Sequence, residues 1–239
     1  MYNKIGVLLF SAGIGSRIRH RTLYNPKVLL MVNGNPILKY WLDKSIMLKP
    51  RKIIVNTHYL SEKIDEFISS EYQNNHEIII KYENELLGTG GSLKAYINDF
   101  ENMETIVFIH TDNYSSINLA DFIYTHSRRP KEANITMGIF KPTNHFGCGM
   151  LNFNEKGMVI DYEEKPLTTK LEWANAGIFA AEVNYILGMK PSLPMISDFS
   201  KDFIPMHFKE FYTHKITDYH IDIGTEENYI LANNINKFK

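Results

Sequence analysis

The sequence has few of the features that mark specialised classes of protein. Cys148 is its single cysteine, which excludes an internal disulfide framework and a zinc site built from cysteine thiolates. Lone cysteines are typical of a reducing compartment, and we expect a cytoplasmic location. The N-terminal apolar run, residues 5–10, is far shorter than the ~20 residues that cross a bilayer. Because no cleavage pattern follows it, we expect neither a signal peptide nor a membrane segment.

Neither sign of charge dominates the chain. The 26 basic and 27 acidic side chains give a formal net charge of −1. A general nucleic-acid-binding protein needs a basic excess or patch for the phosphates, so we expect no nucleic-acid partner. The nine histidines do not form the pair four residues apart that marks a helical zinc site. Charged partners, if any, are therefore expected to be small.

What the sequence does contain is the pattern of an α/β protein. Short apolar runs alternate with amphipathic stretches, which predicts β-α-β units around a doubly wound, Rossmann-like mixed sheet. No linker divides the chain, so we expect one domain over residues 1–239. Predicted strands cover residues 5–10, 52–56, 77–82, 105–110, 133–140, 149–153, 158–163, 177–181 and 211–216. Predicted helices cover residues 36–47, 61–70 with Ser61 as the N-cap, a stretch starting near Gly91, and 226 to about 236.

A glycine-rich loop follows the first predicted strand. Residues 11–17 are Ser-Ala-Gly-Ile-Gly-Ser-Arg, and Pro26-Lys27 follows further on. Small residues at a junction between strand and helix expose backbone N–H groups, which favour anions such as phosphates. The loop lacks the third glycine of a dinucleotide fingerprint, and no Walker sequence occurs. Two glycines alone would be an ordinary turn, but Arg17 and Lys27 add two cations suited to a triphosphate and its leaving pyrophosphate.

Here the sequence resembles the sugar-1-phosphate nucleotidyltransferases, also called nucleoside diphosphate sugar pyrophosphorylases. Their pattern is a pair of small residues, Gly-x-Gly-Thr-Arg-Leu, and then Pro-Lys-Pro-Leu. Ser16 replaces the usual Thr, and Val28 replaces the second Pro. The resemblance covers nearly the whole chain, and it implies that the loop binds a nucleoside triphosphate. The nucleotide-binding residues of the loop would then be Ser11, Ala12, Gly13, Gly15 and Ser16, with Arg17 and Lys27 as catalytic cations.

A second glycine-rich turn lies at residues 87–91, Leu-Gly-Thr-Gly-Gly. Taken alone, it is a helix N-terminus that could bind any anion or none. The resemblance implies that Gly88 and Thr89 contact the nucleotide base. Asn56, in a segment similar to the family's Asn-x-x-Tyr, would support the same pocket, and a structural role is expected for His58.

Two aspartates are candidates for a metal site. Asp112 follows the apolar strand at 105–110, and in open α/β sheets ligands collect at the carboxyl ends of strands. The family usually has Gly-Asp here, whereas this chain has Thr111 before the aspartate. Asp222 lies in Asp-Ile-Gly-Thr, a motif similar to the family's. The resemblance implies that Asp112, which is also catalytic, and Asp222 hold Mg²⁺, which takes its remaining ligands from phosphates. The simpler alternatives are a turn residue for Asp112 and a helix N-cap for Asp222.

The resemblance also implies an acceptor site in the second half of the chain. Glu-Lys-Pro at 164–166 and Asn-Ala-Gly at 175–177 match two family motifs, so Glu164 and Asn175 would bind sugar hydroxyls. Lys165 would meet the sugar phosphate, and the backbone of Gly149 would face the sugar. A carboxylate, an amide and a lysine suit hydroxyls and a phosphate dianion. Without the family, residues 163–165 would be a solvated turn.

These expectations define an enzyme that joins a nucleoside triphosphate to a sugar 1-phosphate and releases pyrophosphate. Residues 87–91 and the chain length look most like guanylyltransferases for mannose or heptose, so we expect GTP. Thymidylyl, uridylyl or cytidylyl transfer to another acceptor stays open, although the Asn-x-Gly motif favours a sugar over a phospho-alcohol. A catalytically silent subunit that binds nucleotide sugars is the alternative of a different class. Homo-oligomers are common in the family, and no apolar stripe locates an interface.

Overall fold

The structure, a computed structural model, describes residues 4–235. Its strands are β1 Ile5–Phe10, β2 Met31–Val32, β3 Asn35–Pro36, β4 Lys52–Thr57, β5 Ile78–Tyr82, β6 Thr105–His110, β7 Asn113–Ser115, β8 Ile135–Phe140, β9 Gly149–Phe153, β10 Val159–Glu164, β11 Trp173–Glu182, β12 Phe211–Lys215 and β13 His220–Asp222. Its α-helices are α1 Arg19–Thr22, α2 Ile37–Met47, α3 Ser61–Glu71, α4 Gly88–Tyr96, α5 Leu119–Ser127, α6 Val183–Met189, α7 Ile204–His207 and α8 Glu226–Asn234.

One mixed sheet organises the fold. Its parallel part has the order β6-β1-β4-β5. The long strand β11 runs antiparallel to β6 and has β8 on its other edge, and β12 pairs parallel with β8. The β9-β10 hairpin joins the start of β11. The α/β class and the mixed sheet predicted from the sequence are confirmed.

Hydrophobic cores cover both faces of this sheet. In β1, Val7 and Leu9 face one core while Leu8 and Phe10 face the other, as the two-residue period of a strand requires. Strands buried on both faces are continuous apolar runs, which explains the sequence of residues 5–10. Helix α2 packs on one face, and its Trp41 is fully buried. Within residues 4–235, no helix has the length and apolar character needed to cross a membrane.

Several predicted boundaries differ from the structure. Ser61 is not the N-cap of α3, because the preceding residue, Leu60, adopts the left-handed conformation (φ 50°) and already forms the boundary. Helix α4 begins at Gly88 instead of near Gly91. The strand predicted at 177–181 is longer and starts at Trp173. Helices α5 and α6 were not predicted, and the predicted helix end near residue 236 lies outside the described residues.

Candidate active site

A two-stranded ribbon brings the two predicted metal ligands together. Asp112 lies between β6 and β7, and Asp222 ends β13, which pairs antiparallel with β7. In that pairing Asp222 is opposite Asn113, and the N–H of Ile223 donates to the carbonyl oxygen of Asp112 (2.9 Å). Helix α2 supports the ribbon, since the indole N–H of Trp41 donates to the carbonyl oxygen of Asn113 (2.7 Å). Residues distant in sequence are therefore fixed side by side.

Both predicted phosphate-binding cations lie against this aspartate pair. Lys27 Nζ donates to Asp112 Oδ2 (2.6 Å) and lies 3.5 Å from Asp222 Oδ1. Arg17 Nη2 donates to Asp222 Oδ2 (3.2 Å). The lysine side chain is 6% exposed and the arginine side chain is 61% exposed, so Lys27 belongs to the floor of the site and Arg17 to its mouth.

The electrostatics of the cluster keep its members charged. Burial on its own would raise the pKa of Asp112, but the charge and hydrogen bond of Lys27, the charge of His110 and a backbone hydrogen bond together outweigh it and lower the pKa to about 2. Burial would likewise lower the pKa of Lys27, but Asp112 and Asp222 outweigh it and raise that pKa. The site therefore presents fixed charges of both signs at neutral pH.

The predicted glycine loop borders the same cluster. Gly15 has φ 71°, a left-handed conformation that favours glycine, and its carbonyl oxygen accepts from the Ile18 N–H and the Thr22 hydroxyl. Gly13 and Ser16 are exposed, while Ala12 is buried against the sheet. The exposed part of the loop thus lies next to Arg17, where an incoming anion would meet backbone N–H groups and a guanidinium.

Ser11 has a different environment from the rest of the loop. It is buried, its N–H donates to Asn56 Oδ1 (2.6 Å), and its hydroxyl lies 3.2 Å from that of Thr111. The Thr111 hydroxyl in turn donates to the carbonyl oxygen of Phe10 (2.6 Å). Thr111, which departs from the family's glycine, thus ties the ends of β1 and β6 together. Ser11 therefore anchors the loop. A contact between Ser11 and the nucleotide stays a prediction.

A buried carboxylate that the sequence analysis missed connects this loop to the predicted base loop. Glu83 is 3% exposed and accepts from Asn56 Nδ2 (2.8 Å), the Ser92 hydroxyl (2.6 Å) and the N–H of Leu87 (3.3 Å). Asn56 thereby joins Ser11 to the Leu87–Gly91 turn. Buried carboxylates need several donors, and Glu83 has them. Its only sequence signal is a polar residue directly after an apolar strand.

The predicted base loop, residues 87–91, forms the start of α4. Gly88 is exposed with φ 72°, and Thr89 is half-buried. The N–H groups of Gly90 and Gly91 both donate to the carbonyl oxygen of Ser197. The N–H of Leu87, at the N-cap, already donates to Glu83, so three N–H groups of this helix N-terminus are satisfied, which argues against a phosphate site there.

The predicted acceptor residues lie on β9, β10 and β11. Gly149 pairs with Glu164 across the β9-β10 hairpin. Glu164 accepts from the Tyr162 hydroxyl (2.5 Å) and lies 3.4 Å from Lys165 Nζ. Lys165 has φ 48°, an uncommon conformation for a residue other than glycine, and its side chain is 60% exposed. The Glu-Lys-Pro motif is therefore a sharp turn with its lysine free to reach a ligand.

The Asn-Ala-Gly motif forms a bulge in β11. Its pairing with β8 shifts between Asn175 and Phe179, where four steps along β11 match two along β8. Gly177 has φ 64°, and its N–H donates to Asn175 Oδ1 (2.8 Å). The bulge touches the metal-site ribbon, since Asn113 Nδ2 donates to the carbonyl oxygen of Ala176 (3.3 Å). The acceptor residues and the aspartates thus form one continuous site.

A cavity of about 800 Å³ opens on this site. Arg17 and Asp222 line it together with the aromatic residues Trp173 and Phe146. Cys148 also lines it, and burial, together with the charges of Asp222 and Glu164, raises the pKa of its thiol. Cys148 therefore stays protonated and is unsuited to be a nucleophile.

The aspartate pair has the chemistry of a magnesium site that is completed by its substrate. Mg²⁺ commonly takes one or two carboxylates and fills its other positions with phosphates and water. Among residues 4–235, no group of three or more His, Cys, Asp or Glu residues could hold a metal by itself. The alternative of Asp222 as a helix N-cap is wrong, because Thr225 caps α8 and accepts from the N–H of Asn228.

The fold and the site define an α/β protein whose glycine loop, cations and aspartate pair meet at the carboxyl ends of parallel strands. The chain belongs to the nucleotidyl transferase family, whose model matches residues 6–237. The resemblance inferred from the sequence motifs is thereby confirmed.

Named relatives share about a quarter of their aligned residues with this chain. The D-glycero-alpha-D-manno-heptose 1-phosphate guanylyltransferase of Aneurinibacillus thermoaerophilus is 26% identical over 93% of this chain and 94% of its own. The mannose-1-phosphate guanylyltransferase catalytic subunit beta of Drosophila melanogaster is 24% identical over 95% of this chain. The match spans 62% of that longer relative.

A solved structure shares the fold over the full length. HddC from Yersinia pseudotuberculosis, crystallised in complex with GMP-PN, has a TM-score of 0.77. It is 22% identical, and the match covers 98% of this chain and 99% of HddC. At this identity the likeness establishes the fold.

Proposed function

We propose that this protein transfers a guanylyl group from GTP to a sugar 1-phosphate, giving a nucleotide diphosphate sugar and pyrophosphate. The observation that carries the proposal is the cluster of Lys27, Arg17, Asp112 and Asp222 beside the glycine loop. A silent binding subunit has no need for two carboxylates held at a phosphate-binding loop. The charges therefore favour an active enzyme.

The reaction needs no covalent intermediate with the protein. An anionic oxygen of the sugar phosphate attacks the α-phosphorus of the triphosphate and forms the new P–O bond. The bond from the α-phosphorus to the oxygen that bridges it to the β-phosphorus breaks, and that oxygen leaves with the pyrophosphate. No proton has to be removed from the nucleophile, so catalysis consists of positioning and charge neutralisation.

The residues of the cluster divide this work. Asp112 and Asp222 would hold Mg²⁺, which when bound neutralises charge on the phosphates and orients them. Lys27 contacts both carboxylates, offsets their mutual repulsion and contributes a buried positive charge. Arg17, which is exposed, is free to exchange its contact with Asp222 for the β- and γ-phosphates and to stabilise the leaving pyrophosphate.

The acceptor residues supply recognition. Lys165 extends from a strained turn and offers a point charge to the sugar phosphate. Glu164 and Asn175 offer a carboxylate and an amide to sugar hydroxyls. Gly149 has no Cβ, which would otherwise crowd the carboxylate of Glu164. Together they would set the phosphate oxygen in line with the α-phosphorus.

The choice of GTP, of a heptose or mannose phosphate as acceptor, and of Gly88 and Thr89 as base contacts rests on similarity. Relatives named as guanylyltransferases for these two sugars cover most of this chain. The structural neighbour with GMP-PN supports the same nucleotide class.

A substrate matrix tests the proposal. The four common ribonucleoside triphosphates and dTTP are each combined with mannose, heptose, glucose and galactose 1-phosphates in Mg²⁺, and pyrophosphate release and product mass are measured. We expect GTP with mannose or heptose 1-phosphate to give the highest turnover. Turnover with another base would correct the nucleotide, and no release from any pair would contradict the proposal in favour of a silent subunit.

A further inference from the structure

Residues 197–200 form a link between the two substrate sites that no sequence motif indicated. We call residues 197–200 the bridging segment. It precedes and enters a short π-helix, Phe199–Phe203, and contacts the base loop at one end and the acceptor residues at the other. Because it touches both sets of residues, it is positioned to affect both substrates.

At its first end the bridging segment holds the base loop. The Ser197 N–H donates to the carbonyl oxygen of Leu87 (2.9 Å), and its carbonyl oxygen accepts from Gly90 (2.9 Å). The Phe199 N–H donates to the side-chain oxygen of Thr89 (2.8 Å). A Cβ at Gly88 would lie 2.4 Å from the Ser197 carbonyl oxygen. The packing of the two segments therefore requires glycine there.

At its other end the segment holds the acceptor residues. Asn175 Nδ2 donates to the Ser200 hydroxyl (3.2 Å). The Tyr162 hydroxyl, which donates to Glu164, also lies 3.4 Å from the carbonyl oxygen of Ser200. Ser200 thus contacts Asn175 directly and Glu164 through one tyrosine.

The middle of the segment is anchored in the core. Phe199 is 1% exposed, stacks on Phe203 with ring centres 4.7 Å apart, and meets Phe108 and Phe179 edge-on, each at 5.1 Å. Asp198 caps the π-helix by accepting from the N–H groups of Ser200 and Lys201. A segment fixed in this way moves as a unit, so displacement at Thr89 is transmitted to Ser200.

We infer that the bridging segment couples the two substrate sites: Ser200 positions Asn175 and Glu164 for the acceptor, and Thr89 joins the nucleotide loop to the same segment. The inference rests on the proposed function, since it assigns nucleotide and acceptor to these two ends. A ligand that sets the position of one end sets that of the other through the same rigid segment, so the two ligands bind with positive cooperativity.

Calorimetric titration tests the coupling. A GTP analogue that cannot release pyrophosphate is titrated into the protein with and without a saturating sugar 1-phosphate, the one with the highest turnover in the matrix. In the wild-type protein we expect the acceptor to lower the Kd of the analogue about three- to tenfold, the value of about one hydrogen bond. In Ser200→Ala we expect a ratio near one, with the Kd of the analogue alone unchanged.

Further variants separate positioning from folding. Ser200→Thr keeps the hydroxyl and should keep the coupling. Ser192→Ala removes a hydroxyl from the same region of the chain, one that bonds only the Met189 carbonyl among the described contacts, and should behave as wild type. Thr89→Val removes the side-chain oxygen that accepts the hydrogen bond from the Phe199 N–H, and it should abolish the coupling. The double variant Thr89→Val/Ser200→Ala should show no further loss of coupling. Steady-state assays of Ser200→Ala should give a raised acceptor KM at nearly constant kcat.

Two results would overturn the inference while leaving the proposed function intact. One is a wild-type protein that turns over but shows no effect of acceptor on the Kd of the analogue. The other is full coupling in Ser200→Ala. If the wild-type protein neither binds the analogue nor releases pyrophosphate, the proposed function fails and the inference fails with it.

Discussion

The two halves of the site differ in how their polar groups are held. The nucleotide half, formed by the loops after β1, β5 and β6 with the ribbon, pairs its charges around the buried Lys27, whose side chain is 6% exposed. The acceptor half, formed by β9, β10 and β11, relies on hydrogen bonds from Tyr162 and Ser200, and the Lys165 side chain is 60% exposed. Charges paired around one buried lysine suit chemistry common to all substrates, whereas a set of hydrogen-bonding groups suits selection among them.

The topology explains this difference. Parallel strands place their carboxyl ends at one edge, where loops from distant parts of the chain meet, and Lys27, Asp112 and Asp222 converge there. The antiparallel part instead presents neighbouring residues of a hairpin and a bulge. We therefore expect a division of labour in which the nucleotide half carries the chemistry and the acceptor half selects the acceptor.

The largest effect is expected at Asp112. In Asp112→Asn the buried Lys27 loses the nearer of its two carboxylates and the proposed metal site loses a ligand, so we expect kcat to fall about a thousandfold. Pyrophosphate release measures kcat, and circular dichroism checks the fold. Asp65→Asn, on the exposed surface of α3, is the matched control and should keep normal turnover. Turnover within tenfold of wild type in Asp112→Asn would contradict the metal assignment.

A smaller loss of kcat is expected when a side chain is added at Gly224, next to the β7-β13 ribbon. A Cβ at Gly224 would lie 2.4 Å from Arg17 Nη2 and 2.7 Å from Asp222 Oδ1. Gly224→Ala should push Arg17 and Asp222 apart and lower kcat by about ten- to a hundredfold for every acceptor alike. Gly188→Ala, where nothing lies within 4 Å of the added Cβ, is the control. A change limited to the acceptor KM would contradict the assignment of Gly224 to the nucleotide half.

The equivalent change in the acceptor half should affect binding. A Cβ at Gly149 would lie 2.2 Å from the Tyr162 hydroxyl and 2.7 Å from Glu164 Oε2. Gly149→Ala should therefore raise the acceptor KM by about tenfold, since it disturbs hydrogen bonds to the sugar. The KM for GTP should change little. Initial rates at varied acceptor concentration measure this, and an unchanged acceptor KM would remove Gly149 and Glu164 from the sugar site.

The smallest effect concerns stability and acidity in the scaffold of the acceptor half. His126 of α5 is 2% exposed, with its Nδ1 2.8 Å from the Thr136 hydroxyl, and burial together with Arg129 lowers its pKa to about 3. Between pH 6.5 and about 3 the unfolded chain binds a proton here that the folded chain does not. Stability is therefore fully present at higher pH and is lost as the pH falls through this window.

His126→Asn tests this, because an asparagine amide can replace the contact of Nδ1 with Thr136. Urea unfolding measures the free energy of unfolding at pH 7 and at pH 5. Between these pH values the decrease should be smaller in the variant than in the wild type, by up to about 2 kcal/mol. Equal losses in both proteins would mean that His126 is charged or exposed in the folded state.

The sequence predicted the parts of the site that local patterns determine. The glycine loop and Asp112 directly follow strands whose apolar residues identify them, and the resemblance located Asp222, Glu164 and Asn175 by short motifs. The structure brings all of these into one site. Their roles toward substrate, the use of Mg²⁺, the cytoplasmic location and any homo-oligomer stay predictions.

The parts that were missed depend on tertiary contacts. Ser61 has the ordinary chemistry of an N-cap, but a left-handed Leu60 ends the preceding loop one residue earlier. Glu83 appears as one more surface carboxylate until Asn56 and Ser92 surround it. Ser200 lies in a segment without a motif, and its importance comes only from the approach of Asn175. No periodicity encodes such contacts between distant segments.

The division of labour is tested most directly by acceptor selectivity. The measurement is kcat/KM for mannose 1-phosphate, for its C2 epimer glucose 1-phosphate and for galactose 1-phosphate, the C4 epimer of the latter, in wild type, Asp112→Asn and Glu164→Gln. We predict that Asp112→Asn lowers all three values by the same factor, and that Glu164→Gln changes the ratios between epimers. Unchanged ratios in Glu164→Gln, or ratios altered by Asp112→Asn, would contradict the account.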